Sequence, residues 1–562
     1  MTAPGLRRRS CGAIAVFVAA ALGYLLVGVY LTVDRQFFAG DALSRVQSAQ
    51  AVLFSRDPHL SAIGFIFTPL TAVAELPLAA LAPWWPALIT QALTAVVMSA
   101  LFMAGSVTQL AGIARDRGLS PLVGTVVVLA YALNPMIVFY GANGMSEAPY
   151  LFCLLWAVRR LIRWADTDDV HDLVTAGAAL GLSYLTRYDG GAAALAATGF
   201  VAAVSYRRRP AAADGVDVRR RRAVIDAAVV AIPTATTFLV WAVTSWLITG
   251  NLFAQFTSEY GNAAIIAQLG GTGSDTVPAA VAFSAAATAI MAPLLVLLVP
   301  TAVLTRRHRL RAVAAGLLVF GAVLAFQVLA YARGTTFGFL RFYLTVSPLS
   351  AVLTALIAPA GRRMPYRRLG PGSELPEVPE RPRRWARPVT VAAVLALVAG
   401  VFTTWAGMAS PKYAPQEFAL RAVIAPDRQS TAPLQLDARK VARSFSTERE
   451  IAAYLDALAL PDGAVLCDTV YGFAVVVRSR HPRQFVIPSD QDFARILNNP
   501  AAHGVHYLLA VPNEGRGRSD ALNVRFPTLY ENGAQIAALA LEARNQGADL
   551  PDWRLYRVID QE

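Results

Sequence analysis

The sequence predicts a polytopic α-helical membrane protein with a small α/β domain at its C-terminal end, and three observations support this fold class. Apolar residues make up 56% of the 562 residues and charged residues only 15%, whereas a soluble domain carries about 25% charged residues. Apolar runs of spanning length, about 20 residues each, recur up to residue 408. Beyond it the pattern changes, which divides the chain into a membrane domain, 1–408, and a second domain, 409–562.

Eleven segments are predicted to cross the membrane. The first follows the basic stretch GLRRRS and is too long for the apolar part of a typical signal peptide, so we expect an uncleaved span. The predicted spans are 12–33, 86–110, 121–140, 146–163, 171–187, 190–206, 223–248, 278–304, 312–331, 341–360 and 389–408.

One further apolar segment, 61–82, is predicted not to cross. It contains Pro69, Pro77 and Glu75, which are unfavourable in a helix that faces lipid. We expect a kinked helix that dips into the outer leaflet. It belongs to an outer loop, 34–85, that carries juxtamembrane helices.

The distribution of arginine supports this topology. With eleven spans, 27 arginines lie on the side of the N-terminus and six on the opposite side before residue 409. Basic residues gather on the cytoplasmic side of membranes, so the N-terminus and the Pro-rich linker 361–388 are predicted to be cytoplasmic. The net charge of +13 is then explained by basic loops that set the orientation of the protein and contact anionic membrane lipids. Nucleic acid is not an expected partner. We expect a multi-pass protein of a bacterial cytoplasmic membrane.

The C-terminal domain is predicted to lie outside the membrane. Short strand-like runs, AVLCD, RQFVI, VHYLLAV and WRLYRV, alternate with helix-like runs such as YLDALAL and AQIAALALEARN. This alternation is typical of an α/β domain.

Charged and polar side chains gather at the outer ends of the predicted spans, and almost none lie at mid-depth. Arginine offers forked donors that match phosphate oxygens, and a carboxylate can accept the proton of an attacking hydroxyl. This combination suits transfer of a sugar from a lipid-linked phosphate donor. The candidates are Asp41, Asp57, His59, Asn143, Glu147, Arg187, Tyr188, Glu259, Arg333 and Arg341.

Structural roles are open for several of these residues. Asp41 and Glu147 could cap helices, because an acid is favoured in a first turn. Arg187 and Tyr188 could anchor the chain at the membrane interface. Asp57 precedes a proline and could be a turn residue.

Three short stretches carry a resemblance to a known family. They are FTPL at 67–70, NPMIVFYGANGMSEAPY at 134–150 and GLSYLTRYDGG at 181–191. Their order, over roughly the first 210 residues, resembles the GT-C superfamily of polyprenyl-phosphate-sugar glycosyltransferases. The similar branch comprises protein O-mannosyltransferases and aminoarabinose transferases.

The resemblance implies a GT-C fold and roles for individual residues. The family's base in the first outer loop falls on Asp41, its next acidic position on Glu147 and its basic hairpin position on Arg187. The family's usual acidic pair is here Gly40-Asp41, so the second acid is missing or moved to Asp57.

The phosphate of the donor is expected to bind Arg187 together with Arg333 or Arg341, which flank FGFL. We expect His59, Asn143, Tyr188 and Glu259 to be further substrate contacts. A divalent metal is left open, although the sequence shows no metal motif and its three cysteines lie far apart.

The expected activity is inverting transfer of a sugar from a polyprenyl-phosphate donor to a cell-envelope glycan, lipid or protein at the outer face of the membrane. A transporter or lipid flippase is the alternative, and it would need polar residues through the spans. A non-catalytic scaffold that binds partners through 409–562 is a third hypothesis.

Overall fold

The structure is a computed structural model. It describes residues 3–208, 216–258, 261, 265–266, 276–306, 309–359, 385–427 and 429–559.

The membrane domain is helical throughout. Its helices are α1 (Ala3–Val29), α2 (Gly40–Phe54), α3 (Leu70–Ala79), α4 (Ala87–Thr90), α5 (Leu93–Asp116), α6 (Pro121–Ala132), α7 (Pro135–Ala142), α8 (Glu147–Thr167), α9 (Val170–Tyr184), α10 (Gly190–Arg207), α11 (Val216–Thr249), α12 (Ala254–Thr257), α13 (Val277–Met291), α14 (Leu295–Thr305), α15 (Leu310–Ala332), α16 (Val346–Ile357) and α17 (Ala386–Met408).

Eight of the eleven predicted spans correspond to long apolar helices or bent helix pairs among the described residues. Six are single helices, counting α1 with its continuation to Asp34 and α16 with the turn that precedes it. Two are pairs, α6 with α7, bent by 59°, and α13 with α14, bent by 71°. At the first bend Pro135 has no amide hydrogen, and the side chain of Asn134 caps the new helix by accepting from the Met136 amide at 3.1 Å.

The other three predicted spans form α8, α9 and α10, which are shorter or more polar. Helix α9 has only 15 residues, and the second half of α8 carries Arg159, Arg160 and Arg163. The mostly helical membrane class is confirmed, whereas the number eleven stays a prediction.

Segment 61–82 contains no long helix. A short 3-10 turn, Leu60–Ile63, is followed by α3, which has 10 residues and carries Pro77 in its interior. The two tryptophans that follow α3, Trp84 and Trp85, are 81% and 57% exposed. Exposed tryptophan is typical of the membrane–water interface, in agreement with a segment that dips without crossing.

The C-terminal part contains a five-stranded sheet in the order β2-β1-β3-β5-β4. Strands β1 and β2 and strands β1 and β3 pair in parallel, and β5 pairs antiparallel with β3 and β4. The elements are α18 (Leu420–Ile424), α19 (Pro433–Ala442), α20 (Ser446–Ala457), β1 (Val465–Leu466), α21 (Thr469–Arg478), β2 (Phe485–Val486), α22 (Phe493–Asn498), β3 (Tyr507–Ala510), α23 (Ala521–Arg525), α24 (Leu529–Asn532), β4 (Ala537–Ala543) and β5 (Trp553–Val558).

Both faces of the central strands β3 and β5 carry buried side chains, whereas the edge strand β4 is mostly exposed. Leu509 and Leu555 belong to one apolar cluster, while Leu508 and Tyr556 belong to the cluster on the opposite face. The alternation follows from the two-residue period of a strand. The predicted small α/β domain is therefore confirmed.

Helix α2 of the outer loop lies between the membrane domain and the C-terminal sheet domain. Leu43, Val46 and Ala49 pack in one cluster with Ala474 and Val477 of α21. Ala42, the residue before Leu43, belongs to the main core of the membrane domain. This amphipathic helix is therefore covered from both sides, and its position is fixed by both domains.

Candidate active site

The first predicted acid, Asp41, forms an ion pair with Arg341. Asp41 lies in the first turn of α2, where a negative charge is favoured by the helix dipole. Its carboxylate Oδ2 accepts a hydrogen bond from Arg341 Nη1 at 3.2 Å. The side chain of Asp41 is 38% exposed and that of Arg341 only 9%. The acid is therefore accessible while the cation behind it is buried.

A second arginine, Arg45 of the outer loop, also acts on the carboxylate of Asp41. It stands four residues after Asp41, on the same face of α2, and its Nη1 donates to the Asp41 backbone carbonyl at 3.1 Å. Burial would raise the pKa of Asp41, but the charges of Arg341 and Arg45 outweigh it and lower that pKa below its usual value. Asp41 is therefore ionised at neutral pH.

Arg187 connects two carboxylates. Its Nη1 donates to Glu147 Oε1 at 3.1 Å and its Nε to Asp189 Oδ1 at 3.3 Å. Gln327, the rare polar residue inside a predicted span, donates from Nε2 to Asp189 Oδ2 at 2.8 Å. The guanidinium also lies over the rings of Tyr150 and Phe342, at 5.6 and 5.3 Å. Arg187 is thus held in one orientation by ionic and aromatic neighbours.

Both arginines face one cleft of about 220 Å³. Buried polar atoms in its wall that have no hydrogen-bond partner among the described residues include Glu147 Oε2, Arg341 Nε and Thr345 Oγ1. Such atoms are rare in folded proteins and often mark a place where a ligand binds. The cleft is lined by Glu147, Tyr150, Leu151, Arg187, Asp189, Arg341, Phe342, Leu344 and Thr345.

Sequence reasoning missed Glu417, which approaches the site from the segment that follows α17. It is 3% exposed and accepts a hydrogen bond from the hydroxyl of Tyr140. Burial raises the pKa of the Glu417 carboxyl, although the Tyr140 bond and the charge of Arg341 act in the opposite direction. The contact joins residues 277 positions apart, so no sequence spacing could have shown it. Asp189 and Arg45 were also missed, although both lie within four residues of a candidate.

Two candidates of the outer loop lie at the junction with the C-terminal domain. Asp57 Oδ2 accepts from the Gln491 backbone amide at 2.9 Å, and His59 Nδ1 lies 2.7 Å from the Asp57 carbonyl. The neighbouring Arg56 bonds to Asp490 and Asp492. The structure does not bring Asp57 or His59 to the lining of the cleft.

The remaining candidates have other surroundings. The Asn143 side chain accepts from the Met145 amide at 3.1 Å and so stabilises a turn. The Tyr188 hydroxyl donates to the Ile66 carbonyl, and its ring lies 5.1 Å from that of Phe256. Arg333 is exposed at the end of α15. Glu259 lies outside the described residues.

No group of three or more His, Cys, Asp or Glu side chains that could hold a metal ion is found in the described part of the chain. The carboxylates around the cleft are instead paired with Arg187 and Arg341. The site residues offer hydrogen bonds and charge without a ready-made metal cage.

Comparisons with known proteins agree with this picture. The family model described as dolichyl-phosphate-mannose-protein mannosyltransferase matches residues 77–241. This range includes Glu147, Arg187 and Asp189, but neither Asp41 nor Arg341. No curated protein matches the chain.

Two solved structures illustrate the structural likeness. ArnT from Cupriavidus metallidurans, in the apo state, is similar with a TM-score of 0.54 at 13% sequence identity, over 98% of this chain and 99% of that one. The oligosaccharyltransferase AglB from Archaeoglobus fulgidus, in complex with an inhibitory peptide and a dolichol-phosphate, matches with a TM-score of 0.38 at 12% identity, over 99% of this chain and 75% of that one. The likeness to ArnT extends over both domains. The resemblance drawn from the sequence is confirmed: residues 77–241 match the mannosyltransferase family model, and the chain has the GT-C fold.

Proposed function

We propose that this protein is an inverting glycosyltransferase that takes a sugar from a polyprenyl-phosphate donor at the outer face of a bacterial cytoplasmic membrane. The acceptor is a hydroxyl of a cell-envelope glycan, lipid or protein. The observation that carries the proposal is the pairing of an exposed, ionised Asp41 with the buried Arg341 at the edge of a cleft that also contains Arg187.

In this proposal the donor phosphate binds between Arg187 and Arg341. Two guanidiniums match the oxygens of a phosphodiester and stabilise the charge that grows on the leaving phosphate. The partner-free Nε of Arg341 and the hydroxyl of Thr345 are available as further donors. Glu147 and Asp189 hold Arg187 in place and keep the net charge of the cleft moderate.

Asp41 acts as the base. The acceptor oxygen attacks the anomeric carbon, the bond from that carbon to the phosphate oxygen breaks, and the hydroxyl proton moves to Asp41. The lipid phosphate leaves with the electron pair, and the sugar changes its anomeric configuration. Asp41 would be a weak base while Arg341 holds it. A donor phosphate that shares Arg341 loosens this ion pair and raises the basicity of Asp41 when substrate is present.

The transporter alternative gains no comparable support. It requires polar residues that line a path through the spans. Gln327, a polar residue inside a predicted span, already donates a hydrogen bond to Asp189.

The test is sugar transfer by the purified protein in proteoliposomes with a panel of polyprenyl-phosphate sugars. A Ser/Thr peptide, short envelope glycans and a lipid extract serve as acceptors, and release of polyprenyl phosphate is the readout. We expect one donor to be consumed, with a product of inverted configuration by NMR. Asp41→Asn should lower the rate about 10²- to 10⁴-fold, the range for loss of a general base.

Asp57→Asn is the matched control, because it alters a second aspartate of the same loop that contacts the Gln491 amide instead of the cleft. Equal rates for wild type and folded Asp41→Asn would contradict the assignment of the base. No release of polyprenyl phosphate from any donor would contradict the proposed function.

A further inference from the structure

The loop that follows β3 in the C-terminal domain has a tightly fixed backbone. Gly515 has a φ of +52°, and a Cβ on Gly517 would lie 2.1 Å from the Pro512 carbonyl oxygen. The side-chain amide of Asn523, itself 1% exposed, donates to the carbonyls of Gly517 and Val511 at 2.9 and 3.0 Å. These constraints hold Arg516, between the two glycines, in a defined position.

Arg516 is directed toward α21, the helix that packs on α2. Its guanidinium lies 5.1 Å from the ring centroid of Tyr471, in the first turn of α21. The next turns of α21 pack against the face of α2 that includes Leu43 and Val46. The charge of Arg516 contributes to the lowered pKa of Asp41, after the larger effects of burial and of the two closer arginines. Arg516 therefore lies within electrostatic reach of the proposed base, on the side of the C-terminal domain.

The positive charge of Arg516 is not neutralised by an ion pair within the described part of the chain. Arg516 is half-buried and forms no ion pair with any residue that the structure describes. Asp520, in the same loop, caps α23 by accepting from the Leu522 amide at 2.9 Å. Burial and the neighbouring Asp468 raise the pKa of Asp520 well above its usual value. The other acid close to Tyr471, Asp549, is exposed to solvent.

We infer that Arg516, which lies over the Tyr471 ring of α21, binds an anionic group of the acceptor. This inference rests on the proposed function and names the acceptor class for the same site. The acceptor hydroxyl must reach Asp41, and Asp41 has Arg341 on the membrane side and Arg516 on the side of the C-terminal domain. The donor phosphate is served by Arg187 and Arg341 at the membrane surface, where its lipid holds it. A second anionic group, on the aqueous side, belongs to the acceptor.

The experiment measures equilibrium binding to the full-length purified protein by calorimetry, with three small probes. Methyl glucoside is neutral, methyl glucoside 6-phosphate carries a phosphate, and methyl glucuronide carries a carboxylate. We expect wild type to bind at least one anionic probe about tenfold more tightly than the neutral one, which corresponds to one charge-assisted hydrogen bond. Arg516→Gln should abolish this preference, and Arg516→Lys should retain part of it.

Arg518→Gln is the matched control. It removes the same charge from the same loop, at an exposed position, and should keep the preference. Size-exclusion profiles and melting temperatures show that the variants fold. Equal binding of all probes by wild type, or an unchanged preference in Arg516→Gln, would overturn the inference.

Transfer kinetics complete the test. We expect Arg516→Gln to raise KM for the acceptor and to leave KM for the donor unchanged. A raised KM for the donor alone would assign Arg516 to the donor phosphate and overturn the inference. Because binding is measured without turnover, a protein that transfers no sugar yet prefers anionic probes through Arg516 would disprove the proposed function and leave the anion site established.

Discussion

Helix α8 carries an arginine–carboxylate cluster at each end, and the two clusters are built in opposite ways. At the outer end the cations are buried: Arg187 is 17% and Arg341 9% exposed, whereas Asp41 is 38% exposed. At the other end Arg160 and Arg163 are 30% and 23% exposed and share a carboxylate, Asp172, that is only 2% exposed. The outer cluster presents one acid, Asp41, to solvent while Glu147 and Asp189 are only 4% exposed, and the inner cluster presents its cations.

Each cluster borders a cleft, the inner one with about 300 Å³ of empty space and the outer one with about 220 Å³. A cleft alone therefore does not identify the active site. Exposed cations with buried counter-ions suit contact with anionic headgroups and retention on the cytoplasmic side. An exposed carboxylate in front of buried cations suits a reaction in which a hydroxyl loses a proton while a phosphate departs.

The largest effect is expected when a buried cation of the outer end is removed, with removal of an arginine at the inner end as the comparison. Arg341→Ala should lower kcat/KM about 10²- to 10³-fold, the range for loss of one group that stabilises developing charge. Arg159→Ala, which removes an arginine bonded to Asp116 at 2.8 Å at the inner end, should leave kcat/KM nearly unchanged. Both are measured in proteoliposomes after size exclusion. Similar losses in the two variants would contradict the distinction between the clusters.

A smaller effect is expected at the buried pair behind Arg341. Tyr140→Phe removes the hydrogen bond to Glu417 and leaves a buried carboxyl without that partner, which costs about 1–3 kcal/mol of folding free energy. We expect a lower melting temperature and about a tenfold loss in kcat, because the Glu417 carboxylate, which interacts with the charge of Arg341, then changes its position.

The double variant Tyr140→Phe/Glu417→Gln separates these effects. It should recover part of the stability, since Gln carries no charge in the buried position. A double variant less stable than Tyr140→Phe by the full cost of Glu417→Gln alone would show that the two residues act independently.

The pH profile gives a third test of the outer cluster. The pKa of Asp41 is lowered, so its carboxylate is ionised above pH about 3.9, the usual value for Asp, and protonation begins only below it. We expect kcat/KM to fall less than twofold between pH 7 and 5. An acid limb with a midpoint near 6 would assign the base to another group.

The smallest effect concerns the junction between the outer loop and the C-terminal domain. Burial raises the pKa of Asp490 to about 6, although Arg56 acts in the opposite direction. A folded-state pKa above the unfolded value favours the protonated form, so this contribution to stability is complete below pH about 3.9 and is lost as pH rises through about 6. The Asp490→Asn variant has no ionisable group at this position and therefore serves as the reference.

The melting temperature of wild type relative to Asp490→Asn should therefore decline by a few degrees between pH 4 and pH 7. Differential scanning fluorimetry at matched ionic strength measures the difference. A difference that is independent of pH would show that Asp490 does not titrate in this range.

Sequence reasoning reached the fold class and part of the site for identifiable physical reasons. Long apolar runs and asymmetric arginines report directly on a bilayer, so most of the long apolar helices and the short helices of segment 61–82 could be predicted. Glu147, Arg187 and Arg341 could be placed on one side of the membrane, and the structure brings them to one cleft.

Contacts between distant segments could not be predicted in the same way. The bond from Tyr140 to Glu417 and the bond from Arg341 to Asp41 depend on how helices pack, which topology does not determine. Asp57 lies in the same outer loop as Asp41, yet the two have different neighbours, because Asp41 is in the first turn of the 15-residue helix α2 and Asp57 follows its end. Both acids belong to the same loop, and the family resemblance favoured Asp41; the structure pairs Asp41 with Arg341 and Asp57 with the Gln491 amide.

The double burial of α2 has a consequence for the biogenesis of the protein. Asp41 emerges from the ribosome roughly 400 residues before α21 exists, and domains fold in the order of their synthesis. Until α21 arrives, the apolar face formed by Leu43, Val46 and Ala49 is covered only by the membrane domain, through residues such as Ala79 and Ile89. The helix that carries the proposed base is then packed on one side alone. We therefore expect a chain truncated after α17 to hold Asp41 less firmly and to consume donor lipid more slowly than the complete protein.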